Sequence, residues 1–270
     1  MTLAVPFPQI DPVLVEIGPF AIRWYALAYI AGIVLGWMLL RRIVRQPGWQ
    51  LQPAHLDDLM FFVTLGIILG GRLGFVLFYE PSYYLSHPLQ IFAVWKGGMA
   101  FHGGLIGVIV AIFAFAYTRK LSPLEVGDGL AAVAPLGLLF GRIANFINGE
   151  LWGRVAPDLP WGMVFPGAGP LPRHPSQLYE AFFEGLVLLC FTLWMARGTY
   201  DPERKGRIAG VFMLGYGMGR FFVEYFRQPN PGLEAIFGLF TMGQLLCLPM
   251  IAFGLFLLWR ARKHALAHQT

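Results

Sequence analysis

Seven stretches of roughly twenty mainly apolar residues, running 22–40, 58–78, 98–117, 127–148, 177–196, 208–226 and 238–259, limit what this chain can fold into. A hydrocarbon layer about 30 Å thick is crossed by about 20 helical residues, because each helical residue rises about 1.5 Å and satisfies its own backbone hydrogen bonds. Composition agrees: 57% of the 270 residues are hydrophobic and only 13% charged, where a soluble domain carries about 25% charge. A soluble enzyme and a disordered chain are excluded on that ground, and two cysteines cannot staple a disulfide scaffold. Cys190 and Cys247 read as small buried residues. The expected fold is an all-α integral membrane protein of seven transmembrane helices, a single polytopic domain over 1–270.

Basic residues give the orientation, since Lys and Arg collect in short cytoplasmic loops. Arg41, Arg42 and Arg45, Arg119 and Lys120, then Arg197, Arg204, Lys205 and Arg207, and finally Arg260, Arg262 and Lys263 all fall on one side. Only Lys96, Arg154, Arg173 and Arg227 fall on the other. The N-terminus is therefore expected outside and the C-terminus in the cytoplasm, with no signal peptide at the start. The formal net charge of +5 reflects this topology, because the cations form no stripe with interleaved aromatics, and no nucleic-acid partner is expected. Residues 149–176, rich in Pro, Gly and Trp, read as a small external cap. Residues 80–97, with two Tyr and a Trp beside Lys96, read as an interfacial half-helix on the same side.

Ionisable groups inside a membrane face a cavity or each other, so their depth carries information. Alternating helix directions put Arg23, Arg72, His102, Arg142, Asn145, Asn148, Glu180, Glu184, Arg220 and Glu224 in the outer half, and no in-span charge is expected in the inner half. Tyr216, Arg220, Glu224 and Arg227 recur at helical spacing as one stripe, and Arg142 shares a face with Asn145. Four in-span arginines face three carboxylates, Glu180, Glu184 and Glu224, so room for a bound anion is expected, although Arg220 and Glu224 could simply neutralise each other. His102 lies in FHGGLIG, where Gly103, Gly104 and Gly107 permit close helix approach. It reads either as a hydrogen-bonded packing residue or as a proton acceptor. No His or Cys spacing suits a metal, and the nucleophile-elbow, P-loop and dinucleotide motifs are missing. Neither a metal nor another cofactor is expected.

The stretch GRIANFINGELWG at 141–153 resembles the signature of the prolipoprotein diacylglyceryl transferases. Further pieces resemble that family in the same order: RWYALAY at 23–29, GGRLGFVLFY around Arg72, FHGGLIG at 101–107, RHPSQLYEA at 173–181 and GYGMGRFFVEYFRQP at 215–229. The resemblance implies transfer of the diacylglyceryl group of phosphatidylglycerol to the lipobox cysteine thiol of a prolipoprotein held by its signal peptide. A thioether forms and glycerol phosphate leaves, the first step of bacterial lipoprotein maturation. It also implies a multi-pass protein of the bacterial inner membrane, with its site toward the periplasmic leaflet and among membrane lipids; a monomer is expected, although the sequence itself does not fix the oligomeric state.

Under that resemblance the site residues are His102, Arg142, Glu150, Arg220 and Glu224 for catalysis and Tyr25, Arg142, Asn145, Gly153, Tyr216 and Arg220 for substrate binding. A thiol with a reference pKa of about 8.5 needs a base, for which His102 is the candidate and Glu150 the alternative. Arg142 and Arg220 are assigned to the phosphate, which gains charge as the ester departs. Asn145 and Tyr25 would donate to the lipid headgroup, Glu224 would orient Arg220, and Gly153 would allow close backbone approach. Neither Cys190 nor Cys247 is expected to be a nucleophile, Cys247 having no charged sequence neighbour. A transporter is disfavoured by the one-sided polar groups and by the lack of inverted repeats. A retinal protein is disfavoured because 238–259 holds no Lys, and an intramembrane protease because no Ser/His or paired-Asp arrangement is present.

Overall fold

A computed structural model describes residues 5–18, 20–229 and 240–267. Two short strands, β1 (Val5–Pro6) and β2 (Val13–Ile17), precede β3 (Phe20–Arg23) and the first long helix, α1 (Trp24–Ile43). Then come α2 (Leu56–Phe78), the short α3 (Pro81–Ser86), α4 (Phe101–Arg119) and α5 (Pro123–Ile147). Strand β4 (Met163–Val164) leads to α6 (Ser176–Glu180), which runs through a π-helical turn (Ala181–Val187) into α7 (Leu188–Met195). The chain ends on α8 (Arg207–Val223) and α9 (Met242–Ala267).

Among the described residues, six helical segments are long and apolar enough to cross a membrane. This is a multi-pass membrane protein. The sixth expected run, 208–226, becomes the 17-residue α8, a length and glycine content (GYGMGR) that leave it short of the others. The seventh begins at Met242, and residues 238 and 239 lie outside the described residues. Ile30, Phe61, Ile106, Val110 and Trp194, each more than half exposed, are the outward side chains of helices whose solvent is lipid.

The all-α expectation needs one amendment. Val13, Val15 and Ile17 alternate ahead of Gly18, and β2 pairs antiparallel with β3 with a register shift between Val13 and Val15, the period-2 pattern of a hairpin. β1 pairs parallel with β4, tying the N-terminal segment to the 149–176 segment. The expected half-helix over 80–97 breaks into α3 and two 3-10 turns, Pro88–Phe92 and Val94–Lys96, because Pro81, Pro88 and Gly97 interrupt helical hydrogen bonding.

Helix α5 is the hub and touches α1, α4, the α6–α7 rod and α8. Its apolar window is 44% buried, against 17–22% in α1, α2, α4 and α9. Lipid supplies no hydrophobic drive between helices, so contact rests on close packing. Where α2 meets α4, side chains are absent on both sides: a Cβ on Gly107 would overlap the Gly66 carbonyl, and one on Gly103 the Gly70 carbonyl.

The apolar core, with Leu40, Leu56, Phe115, Val126 and Ile208, lies at the end of the bundle bearing the basic flanks. Two carboxylates of α5 are fully buried there, contrary to the expectation that the inner half of the spans holds no charge. Glu125 accepts from the backbone of Gln50 and of Leu51 (2.8 Å), with Lys205 Nζ at 3.3 Å. Asp128 accepts from the Tyr200 hydroxyl (2.7 Å), Gly206 N (2.8 Å) and Ala209 N (2.8 Å). It therefore caps the first turn of α8, whose N–H groups have no helical partner. Burial, and then the Asp128 charge, hold the Tyr200 phenol well above its usual range, so it stays a donor. These acids fasten loops and line no path.

Replacing Gly107 with Leu forces α2 and α4 apart and is expected to destabilise by about 1–3 kcal/mol or more, as overpacking does. Gly104→Ala meets only the Ile67 carbonyl at 3.7 Å and should change stability by less than about 0.5 kcal/mol. Thermal unfolding in detergent checks both.

Candidate functional site

Three helices bring ionised side chains together at the end opposite the core. Arg142 and Asn145 occupy the last turns of α5, Glu180 ends α6, Glu184 sits in the π turn, and Arg220 and Glu224 close α8, with Arg227 one turn on. The π turn widens the helix where Glu184 projects. Such bulges are rare in α-helices and concentrate at functional positions.

Glu180, 1% exposed, is the centre of this cluster. Its Oε2 lies 2.9 Å from Arg142 Nε, and its Oε1 lies 2.6 Å from Arg220 Nη1 and 3.7 Å from Arg227 Nε. Glu224 takes the other side of Arg220, with Oε2 2.7 Å from Nη2, and its Oε1 accepts from the Thr241 hydroxyl at 3.1 Å. Glu184 is fully buried, has Arg142 Nη2 at 3.8 Å, and neither of its oxygens accepts a hydrogen bond among the described residues. The balance is three arginines against three glutamates. Arg227, just past α8, has its pKa lowered by burial and then by the neighbouring Arg220 charge.

This balance corrects the expected surplus of in-span arginines. Arg23 is exposed at the end of β3. Arg72 is buried elsewhere, bonded to backbone carbonyls. Arg227 takes the third place.

Arg142 also belongs to a second environment. With Tyr25, Tyr29, Asn145 and Leu151 it lines a cleft of about 570 Å³ between α1 and α5, and a fifth of its side chain remains exposed. The Tyr25 and Tyr29 hydroxyls are 3.2 Å apart. Asn145 Nδ2 donates to Glu150 Oε1 at 2.8 Å, and Asn148 Nδ2 donates to the same oxygen at 3.3 Å. Glu150 thus rests on two amides. Gln177 Nε2 donates to the Glu150 carbonyl (2.6 Å) and Ser176 Oγ to the Leu151 carbonyl (3.1 Å), tying this turn to the start of α6. Leu151 has φ +58, a left-handed conformation that a side chain adopts at some expense and that clusters at functional sites.

Gly153 lies where residues 149–176 cross the end of α8. A Cβ there would come within 2.5 Å of the Phe226 carbonyl and 2.6 Å of His174. Tyr216 is one helical turn before Arg220 and interacts electrostatically with Arg142, Arg220, Glu180 and Glu184. His102 stands apart. It lines an apolar groove of about 890 Å³ between α2 and α4, with Leu73, Leu77, Tyr79 and Ile106, and not the cleft that holds Arg142.

Of the expected site residues, the structure gathers Arg142, Arg220, Glu224 and Tyr216 in one cluster, puts Tyr25, Asn145 and Glu150 beside Arg142, and leaves His102 on another face. Glu180, Glu184 and Arg227 belong to the cluster although no catalytic or binding role was assigned to them. Their signal was the i, i+4 acidic pair in an apolar run and the extra turn of the Tyr216 stripe. Cys190 is exposed, correcting the expectation of a buried residue. Cys247 is buried, and although its sequence neighbours are uncharged, it interacts electrostatically with Arg220, Glu184 and Glu224 across the helices. No group of three or more potential metal ligands occurs among the described residues.

A family model described as prolipoprotein diacylglyceryl transferase matches residues 12–260. The chain is similar to proteins named phosphatidylglycerol–prolipoprotein diacylglyceryl transferase. That of Paramagnetospirillum magneticum is 54% identical over 270 residues, covering 99% of this chain and all of the relative. That of Rhodospirillum rubrum is 55% identical over 264 residues, covering 97% and 96%. That of Methylocella silvestris is 54% identical over 260 residues, covering 94% and 95%.

Removing one partner of a buried ion pair strands the others. Glu180→Ala leaves three arginines with two carboxylates, and an expected loss of about 3–5 kcal/mol should appear as a lowered unfolding midpoint in detergent.

Proposed function

The chain belongs to the prolipoprotein diacylglyceryl transferase family, and we propose that the Arg142 cleft is where its lipid substrate reacts. The protein transfers the diacylglyceryl group of phosphatidylglycerol to the lipobox cysteine of prolipoproteins, the first step of lipoprotein maturation. The observation that carries the site assignment is the double membership of Arg142, held by Glu180 from behind while its side chain lines the mainly apolar α1–α5 cleft.

In this reading the substrate thiolate attacks the glyceryl carbon attached to the phosphate oxygen. The S–C bond forms, the C–O bond breaks, and the electron pair leaves on the phosphate. A diester with one negative charge becomes a monoester with two, so cations fixed beforehand stabilise the transition state more than the ground state. Arg142 and Arg220 are those cations. Glu180 and Glu224 act through them, because a guanidinium already held by a carboxylate needs no reorganisation as charge develops. Arg142 turns Nε and Nη2, and Arg220 both of its Nη atoms, toward carboxylates. Tyr25 and Asn145 bind the headgroup, Tyr216 backs the two arginines, and Gly153 lets residues 149–176 close over the end of α8.

The thiol loses its proton in one of two places: to His102, with the peptide seated in the α2–α4 groove under residues 79–100 and the 149–176 segment, before the thiolate reaches the Arg142 cleft, or to Glu150, which accepts from Asn145 of that cleft. The topology that goes with this is seven spans in one domain over 1–270, with the N-terminus outside, 149–176 as an external cap and the C-terminus in the cytoplasm. The site faces the outer leaflet of the bacterial inner membrane. The basic residues flanking one side of the helices support that orientation. The protein works as a monomer.

Purified protein supplied with labelled phosphatidylglycerol and a lipobox peptide should give labelled thioether and glycerol phosphate, and a Cys→Ser peptide should give neither. Arg142→Ala is expected to lower kcat by about 10²-fold or more, as loss of one oxyanion donor does, and wild-type turnover would discard the anion site. His102→Gln and Glu150→Gln separate the bases. Only the variant lacking the proton acceptor should regain rate as rising pH forms the thiolate unaided. The double variant Cys190→Ala, Cys247→Ala should keep its activity, since the attacking sulfur is the substrate's.

A further inference from the structure

Arg72 is a buried cation, 4% exposed, with no carboxylate partner among the described residues. Its guanidinium instead collects carbonyl oxygens. Nε donates to Ile91 O at 2.8 Å, Nη2 to Gln90 O at 2.6 Å, and Nη1 to Gly97 O at 2.6 Å and Gly98 O at 3.1 Å. The Tyr84 ring covers its face at 5.1 Å. Four of five planar donors are used, which a lysine with one compact ammonium could not copy.

The loop is shaped to match. Gly97 and Gly98 both have positive φ, +83 and +78, and a Cβ on Gly98 would lie 2.8 Å from Arg72 Nη1. Next to the clamp, Ala100 N donates to the carbonyl of Gly71, two residues before α4 carries His102. Tyr79, Ala100 and His102 form one end of the α2–α4 groove. Arg72 thereby ties the middle (90–91) and the far end (97–98) of the 79–100 segment to α2. That segment turns Leu85, Leu89, Phe92 and Trp95 outward, each more than 70% exposed, so nothing apolar on its far side holds it down within the chain.

We propose that Arg72 is a positioning residue for the peptide substrate: it fixes the 79–100 segment, and so sets how tightly the membrane-tethered peptide docks. This rests on the reading that the peptide lies under that segment. All four bonds hold backbone in place, and none of them orients a group of the phosphate site.

The test measures transfer with Arg72→Lys and Arg72→Gln, varying peptide and phosphatidylglycerol separately. Losing these charge-assisted bonds, partly replaced by water, should raise the peptide KM about tenfold or more, with kcat at saturating peptide and the lipid KM within about twofold. Gly98→Ala, which crowds Nη1 without removing the charge, should give the same split if the arginine variants do not fold. Millimolar guanidinium should restore part of the peptide affinity to Arg72→Gln. As a readout independent of activity, protease cleavage within 79–100 should accelerate in these variants and not in Arg142→Ala. An unchanged peptide KM, or a raised lipid KM in its place, overturns the proposal. Absence of transfer by the wild-type protein would overturn the functional reading itself, and the protease result would still report whether Arg72 holds the segment.

Discussion

The Glu180 carboxylate, almost completely buried between α5 and α8 at the start of the α6–α7 rod, is the contact on which the charged end of this molecule depends. One acid engages guanidinium groups from two helices and from the chain beyond α8. In a low-dielectric setting none of those arginines could be left unpaired, so the helices must meet where Glu180 stands. Glu224 and Glu184 then share the remaining charge, and Arg142 is left with one side held and one side facing the α1–α5 cleft. A cation fixed in this way suits a reaction in which negative charge grows on a leaving phosphate.

The two ends of the bundle use carboxylates differently. At the basic end, Glu125 and Asp128 accept mainly from backbone N–H groups and fasten loops to the core. At the opposite end, Glu180 and Glu224 are ion-paired with arginines, and Glu150 accepts from two asparagine amides. Backbone donors are spent on structure, whereas side-chain cations keep donors in reserve. Arg72 inverts the arrangement, being a cation satisfied by backbone carbonyls, and so belongs with the fastenings.

Most helices were legible because a lipid-exposed helix has to be apolar on nearly all sides, and runs such as 58–78 allow little else. The N-terminal hairpin was less visible, its alternation being only three residues deep, and the breaks in 80–97 depended on prolines whose effect on a short segment is local. In the site, Arg142 with Asn145 and Tyr216 with Arg220 and Glu224 could be read from helical spacing. Glu180 as the hub could not, since spacing says which residues share a face and not which faces meet. The same limit hid the separation of His102 from Arg142: one starts α4 and the other nears the end of α5, which puts both at the same end of the bundle, and depth says nothing about direction around it.

The sequence by itself determined that this is a multi-pass membrane protein, that its unusual polar groups gather toward one end, and which family its motifs belong to. Each of these depends on residue type and on spacing along the chain. Only the tertiary structure decided the pairing. It matched three arginines to three glutamates where the count along the spans suggested a surplus, removed Arg72 from the cluster, and brought in Arg227. The physical reason is that a charge in a membrane is defined by whatever lies within a few ångströms across a helix interface. That partner is chosen by packing, here by glycines that let helices touch and by a π turn that redirects Glu184.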